Sequence, residues 1–259
     1  MAKIVSIHSF RGGTGKSNTT ANIASLLAAD GNKVGIVDTD IQSPGIHVLF
    51  HIDPGQVRFS LNDFLWGKCE IGQAACDISA SEDIPAPGKL YLIPSSVKTG
   101  DIARVLHYGY DVNLLREGFQ KLIDELKLDY LFIDTHPGLN EETLLSIALS
   151  DILIVILRPD QQDYQGTAVT VEVSRQLDVP GMFLIVNKVP SVLNSDDLKR
   201  EIEKNYDCPV AGLIPHSDDL MILASGGIFS LRYPGHPLTA IYRQITETLS
   251  SGTEHLSSG

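Results

Sequence analysis

The stretch Phe10-Arg11-Gly12-Gly13-Thr14-Gly15-Lys16-Ser17 lies between an apolar strand pattern at residues 4–8 and a helical pattern that begins at Lys16. Three glycines let a backbone curl until successive N–H groups point inward at an anion. A helix that starts immediately afterwards adds its own free N–H groups and the positive end of its dipole. Lys16 supplies a point charge for the β- and γ-phosphates of a nucleotide, and the Ser17 hydroxyl can ligate Mg2+. A Gly-Lys-Ser triplet alone arises by chance. Between a buried strand and a helix, after two more glycines, it marks a phosphate loop, and in a parallel sheet that loop sits at the carboxyl ends of the strands, where ligands bind.

Outward from this loop, short aliphatic runs alternate with helical segments. Strands are expected at residues 4–8, 34–38, 90–93, 130–134, 152–157, 182–186 and 210–214. Most are continuous Val/Ile/Leu runs, as in parallel strands buried on both faces. Helical spacing joins Ile23, Leu26 and Leu27, with Gly31 as a stop, and joins Leu114, Leu115, Phe119, Leu122, Ile123 and Leu126. Val169, Val173 and Leu177 form a third face, and Leu238, Ile241, Ile245 and Leu249 a fourth. Strand–helix repetition implies right-handed crossovers. The expected fold class is α/β: a single-domain P-loop NTPase with a mostly parallel twisted sheet and helices on both faces. The domain is expected to span 1–249, with 79–89 as a surface loop and 250–259 as a disordered tail without a core-forming pattern.

Composition excludes several classes. At 259 residues and 43% apolar content, one large domain can fill its own core without staples. The 20 Lys+Arg against 32 Asp+Glu, a net charge of −12, argue against coating nucleic acid or acidic lipid by bulk charge, although one local basic patch would escape that argument. Cys69, Cys76 and Cys208 contain no C-x-x-C and read as reduced thiols. The start MAKIVSIHSF enters a strand directly, without the apolar core of a signal peptide. A cytoplasmic, soluble chain is expected.

Three carboxylates complete the chemistry. Asp38 and Asp40 close the second strand at i and i+2, on one face of an extended chain and aimed at the crevice. The run Leu128-Asp-Tyr-Leu-Phe-Ile-Asp134 carries Asp134 to the same sheet edge, as a Walker B strand does, where it can hold Mg2+ through a water ligand.

The loop resembles the deviant phosphate loop K-G-G-x-G-K-[ST] of the MinD/ParA family of P-loop ATPases, with Arg11 in place of the family's first Lys. The resemblance runs through Asp38-Thr39-Asp40, Asp134-Thr-His-Pro-Gly138, Asn187-Lys188 and Ile214-Pro215-His216, nearly the whole chain. It implies ATP and Mg2+ as cofactors. Arg11, Gly12, Gly13, Thr14, Gly15, Lys16, Ser17 and Asn18 would cradle the phosphates, and Asn187, Pro215 and His216 would flank the adenine. Ser17, Asp38 and Asp134 would hold the metal. Asp40 would orient the attacking water, which makes Arg11, Lys16 and Asp40 the expected catalytic set. In the family the residue at position 11 reaches across a nucleotide-sandwich dimer; Arg11 either does so with its planar fork or pairs with a local carboxylate. His136 stands where small residues or Pro are familiar, and is either a partner-contact residue or a participant beside the γ-phosphate.

The resemblance further implies a homodimer with ATP between its subunits and an unidentified protein partner or cellular cargo, with slow, partner-stimulated hydrolysis. Iron–sulfur relatives need cysteine pairs that this chain does not have, and related tyrosine kinases carry a C-terminal tyrosine cluster absent after Tyr242. A membrane tether is disfavoured: the apolar stripe of 237–249 carries only Arg243 and Glu247, which cancel, and reads as a helix docked on the core. DNA binding is disfavoured because the densest cationic run, Lys199-Arg200-Glu-Ile-Glu-Lys204, is interleaved with acids. The alternatives are a small-molecule ATP-dependent ligase or kinase of the same fold, a DNA-bound partitioning ATPase, and a module that binds ATP without hydrolysing it.

Overall fold

The computed structural model describes residues 2–256, with side chains through Ser251. The chain runs β1 (Lys3–His8), α1 (Lys16–Ala29), β2 (Lys33–Asp38), α2 (Ile46–Leu49), α3 (Leu61–Leu65), β3 (Cys76–Asp77), β4 (Lys89–Ile93), α4 (Thr99–Tyr108) and α5 (Asn113–Leu126). It continues through β5 (Tyr130–Asp134), α6 (Glu141–Ala148), β6 (Ile152–Leu157), α7 (Gln161–Gln176), β7 (Gly181–Val189), α8 (Ser195–Tyr206), β8 (Val210–Pro215), α9 (Asp218–Leu223), α10 (Phe229–Arg232) and α11 (Pro237–Leu256). The strands form one sheet in the order β3-β4-β2-β5-β1-β6-β7-β8, and only the β3–β4 pairing is antiparallel.

Alternate residues of the central strands enter opposite cores, which is why these segments read as unbroken apolar runs. Val5, Ile7, Ile36, Phe132 and Ile154 face a layer built by α1 and α11. Val37, Leu131 and Ile133 meet α5, and Leu153, Val155 and Leu157 meet residues from α7 and α8. The single α/β domain with helices on both faces stands as expected.

Four details differ from the expectation. The edge strand β3 has only two residues, too few to leave a pattern. β7 extends through Asn187 and Lys188 to Val189, with an irregular register against β8 after Val186. On α7 the buried face is Asp163, Gly166, Thr167, Thr170, Val171 and Ser174, whereas Val169 is 48% exposed. Lastly, α11 does not stop at Leu249 but runs to Leu256, so the expected tail is helical up to that point, and its last three positions lie outside the described residues. The apolar stripe of α11 is spent on the core: Leu238, Tyr242, Ile245 and Leu249 are all buried against α1 and β8. No helix among the described residues is long and apolar enough to cross a membrane.

Candidate functional site

β1 lies between β5 and β6, where successive crossovers leave the sheet in opposite directions, and the loop after it occupies the crevice that this reversal opens. Gly15 is the N-cap of α1 with φ +97°, and no side chain caps the helix. The first-turn N–H groups are therefore left for an anion. Asn187 Nδ2 donates to the Thr14 carbonyl at 2.7 Å, and Lys188 Nζ to the Gly13 carbonyl at 2.9 Å. The end of β7 thus braces the loop from 173 residues away. Asn187 was expected as the adenine reader. Here its amide nitrogen serves the loop, and its Oδ1 accepts from the Lys188 N–H at 2.8 Å. Pro215 and His216 sit beside this brace, since Val189 pairs with Pro215 and the His216 N–H donates to the Val189 carbonyl.

A Cβ at Gly15 would stand 2.3 Å from Asn187 Nδ2, and its backbone conformation disfavours any side chain. Gly15→Ala should therefore lower stability by about 1–3 kcal/mol, a loss visible as an earlier urea midpoint with unchanged slope. A midpoint equal to that of the unsubstituted protein would show that the loop is not braced as described.

Asp38 and Asp134 are register partners at the carboxyl edge of β2 and β5, both buried. Asp134 accepts from Thr20 Oγ1 at 3.2 Å and from the Ser17 hydroxyl, with Lys16 nearby. Burial pushes its carboxyl up to about 6 against the opposing pull of Lys16. Burial, then the charges of Asp134 and Asp40, hold Asp38 well above the ordinary carboxylate range. Asp38 Oδ1 accepts the Asp40 N–H at 3.1 Å, while its buried Oδ2 has no partner. Two buried carboxylates, one with a free oxygen, beside the Ser17 hydroxyl form a hard-oxygen donor set that fits a divalent cation completed by phosphate oxygens.

Asp40 does not extend the strand face as its spacing suggested. β2 ends at Asp38, and the bond from the Asp40 N–H back to Asp38 turns the chain. The Asp40 carboxylate meets His136 Nδ1 at 2.6 Å and also accepts the Ser43 N–H at 3.1 Å, so it ties the loop after β2 to the loop after β5. His136 is therefore wired to the expected water-orienting acid.

Arg11 lies 3.8 Å from Asp160 and 3.6 Å from Asp163, at the start of α7. Of the two readings of Arg11, this single chain shows the local pairing. Asp160 caps α7 by accepting from the Gln162 and Asp163 N–H groups, and Arg158 clamps Asp163 through Nε at 2.8 Å and Nη2 at 3.0 Å. Burial works to raise the Asp163 carboxyl, but Arg158 holds it below the ordinary range. Phe10 packs where Gly166 leaves room; a Cβ there would stand 2.2 Å from its ring.

His8 was not singled out as functional. It is fully buried at the end of β1, its Nδ1 2.9 Å from Thr135 Oγ1 and its Nε2 without a partner. Burial, Lys16 and His136 lower it to about 3, so it stays neutral beside the loop. A histidine closing a largely apolar strand just before a phosphate loop was the available signal.

A profile of the AAA-domain family matches residues 2–178. The chain is 28% identical over 250 residues to an ATP-binding protein of Methanocaldococcus jannaschii, covering 96% of this chain and 88% of that one. It is 25% identical to the septum site-determining protein MinD of Bacillus subtilis, covering 96% and 89%. Its fold superposes on MinD from Pyrococcus horikoshii, solved with Mg-ADP, with a TM-score of 0.81, 22% identity and full coverage of both chains.

Proposed function

The chain belongs to the AAA-domain family, among the MinD/ParA-type P-loop ATPases, and from that membership we propose that it is an ATP-hydrolysing switch that dimerises around ATP and positions or regulates a protein partner. One observation carries the reading: the uncapped start of α1, the Lys16 ammonium and the buried Asp38–Asp134 pair converge at one sheet edge. An uncapped helix end and a lysine attract phosphate, and a buried acid pair attracts a divalent cation.

The Ser17 hydroxyl with Asp38 and Asp134 would hold Mg2+, which when bound would supply positive charge where the phosphates develop negative charge. The chain's own groups do the rest. Backbone N–H groups of 12–17 and Lys16 hold the β- and γ-phosphates and favour the charge-dispersed transition state. Asp40, steadied by His136, orients a water in line with the γ-phosphorus. A bond forms from that water oxygen to phosphorus as the β,γ-bridging bond breaks; ADP leaves, and phosphate and a proton are released. Positioning and charge neutralisation suffice, so no strong base is needed.

Arg11, 42% exposed at the mouth of the site, is free to exchange its partners on α7 for phosphates of a second subunit. A protein partner suits this chain better than DNA, because the cationic run on α8 is laced with acids, Arg200 against Asp197 and Lys199 3.9 Å from Glu203. Asp40→Ala, made to slow hydrolysis, should elute as a dimer with ATP and as a monomer with ADP on size exclusion. A monomer at every protein concentration with ATP would remove dimerisation from the proposal.

A further inference from the structure

Beside the phosphate loop, not within it, α2, the segment 54–60, the start of α3 and the loop 94–98 after β4 enclose a recess. The recess is shallow: the centre of a water molecule reaches about 40 Å3 of it, and its empty volume of about 410 Å3 counts the solvent at the open mouth. Arg58 and Lys98 stand on its rim, and neither meets a carboxylate among the described residues, in a chain with twelve more acids than bases. The acid on the wall, Asp63, is already engaged: Oδ2 accepts the Ser60 N–H and hydroxyl at 3.0 Å, and Oδ1 accepts Lys68 at 2.8 Å. His47 lines the recess at 6% exposure, with no partner for its Nδ1. Burial lowers its imidazole, so it is a neutral hydrogen-bonding group rather than a third charge. Val57, Pro94 and Val97 supply the apolar part of the wall.

We propose that this recess binds a small organic anion, a carboxylate carrying a short apolar chain. The carboxylate meets Arg58, Lys98 and the His47 ring, and the chain lies along Val57, Pro94 and Val97. A phosphate fits the site less well, because the start of α3 is closed by the reciprocal Ser60–Asp63 capping box and offers no open N–H cradle. Mixed apolar walls with a few fixed charges suit a carboxylate with a hydrocarbon body. The recess is wired to the nucleotide site. Ser95 Oγ donates to the Asp38 carbonyl at 2.7 Å, and His47 lies two residues after Gly45, which borders the Asp38 carboxylate. An occupant therefore bears on the loop that carries Asp40.

The binding claim does not depend on ATP hydrolysis, and its test is run without nucleotide. Hexanoate is titrated into protein labelled with 15N at histidine, with neutral hexanamide as the shape control, and heats are measured in parallel. Hexanoate should bind saturably and move the His47 resonances. It should bind about tenfold or more tightly than hexanamide, and Arg58→Gln with Lys98→Gln should weaken it by about the same factor. Both replaced residues are exposed, so the variant should melt with the unsubstituted protein. Equal binding of hexanoate and hexanamide, undiminished binding by the double variant, or absence of saturation would each overturn the proposal. So would binding lost in Lys16→Ala, since that would put hexanoate in the phosphate loop.

Discussion

Lys16→Ala should weaken ATP and ADP binding by about 10²-fold and reduce hydrolysis to background, because it removes the charge-assisted bonds that a lysine makes to β- and γ-phosphates. Lys16 is 8% exposed in the first turn of α1, held near the Asp134 carboxylate and the neutral His8. Its stem is buried, so its ammonium is not an adaptable surface charge but one pre-positioned at the sheet edge. Alanine also leaves Asp134 without its nearest cation, and that carboxyl then rises further and holds its proton more readily. Two losses combine: a phosphate donor, and the charged state of a metal-binding acid. Equilibrium binding of a fluorescent ATP analogue and phosphate-release rates measure them separately. Binding within threefold of the unsubstituted protein would take the phosphates away from this loop.

What could be read from residue order, and what could not, divides along contact range. The strands were legible because each central strand is buried on both faces and so is apolar throughout. The phosphate loop was legible because its chemistry is contiguous, from Arg11 to Asn18. Asp38 and Asp134 were legible as acids closing apolar runs. The Asp40–His136 bond joins residues 96 apart, and the Asn187 and Lys188 braces span more than 170; no local pattern encodes either. On α7 the apolar pattern pointed to Val169, yet the helix buries Asp163, Thr167, Thr170 and Ser174. Arg158 neutralises Asp163, and Thr170 and Ser174 return their hydroxyls to carbonyls of their own helix, so polar residues fill the interior face without unpaired groups. Periodicity of apolar residues fails where polarity is satisfied locally.

The second large effect concerns the acid pair. Asp38→Asn should raise the melting temperature of the nucleotide-free protein near pH 7.5 while reducing Mg2+-dependent hydrolysis by about 10²-fold. Asp38 and Asp134 both titrate above the ordinary carboxylate range, Asp134 at about 6. The native state therefore holds their protons more tightly than the unfolded chain does. Stability is full below the ordinary value of about 4 and is lost as pH climbs through the raised native values. Above about pH 6 the folded protein holds the Asp134 carboxylate buried against Asp38, whose own ionisation burial and its acidic neighbours oppose, and a cation relieves that cost. Asparagine keeps the Oδ1 that accepts the Asp40 N–H and puts a donor where Oδ2 has no partner, so the charge goes while the bonded oxygen stays. Each kcal/mol relieved corresponds to about 2–4 °C in a domain of this size. The gain should shrink as pH is lowered toward 4, where the unsubstituted pair becomes protonated, and should vanish when Mg2+ and nucleotide saturate the unsubstituted protein. A lower melting temperature at pH 7.5, or a gain independent of pH, would mean that the pair is not repulsive in the folded state. The same two carboxylates that make the site attractive to a cation would then need another source of their metal affinity.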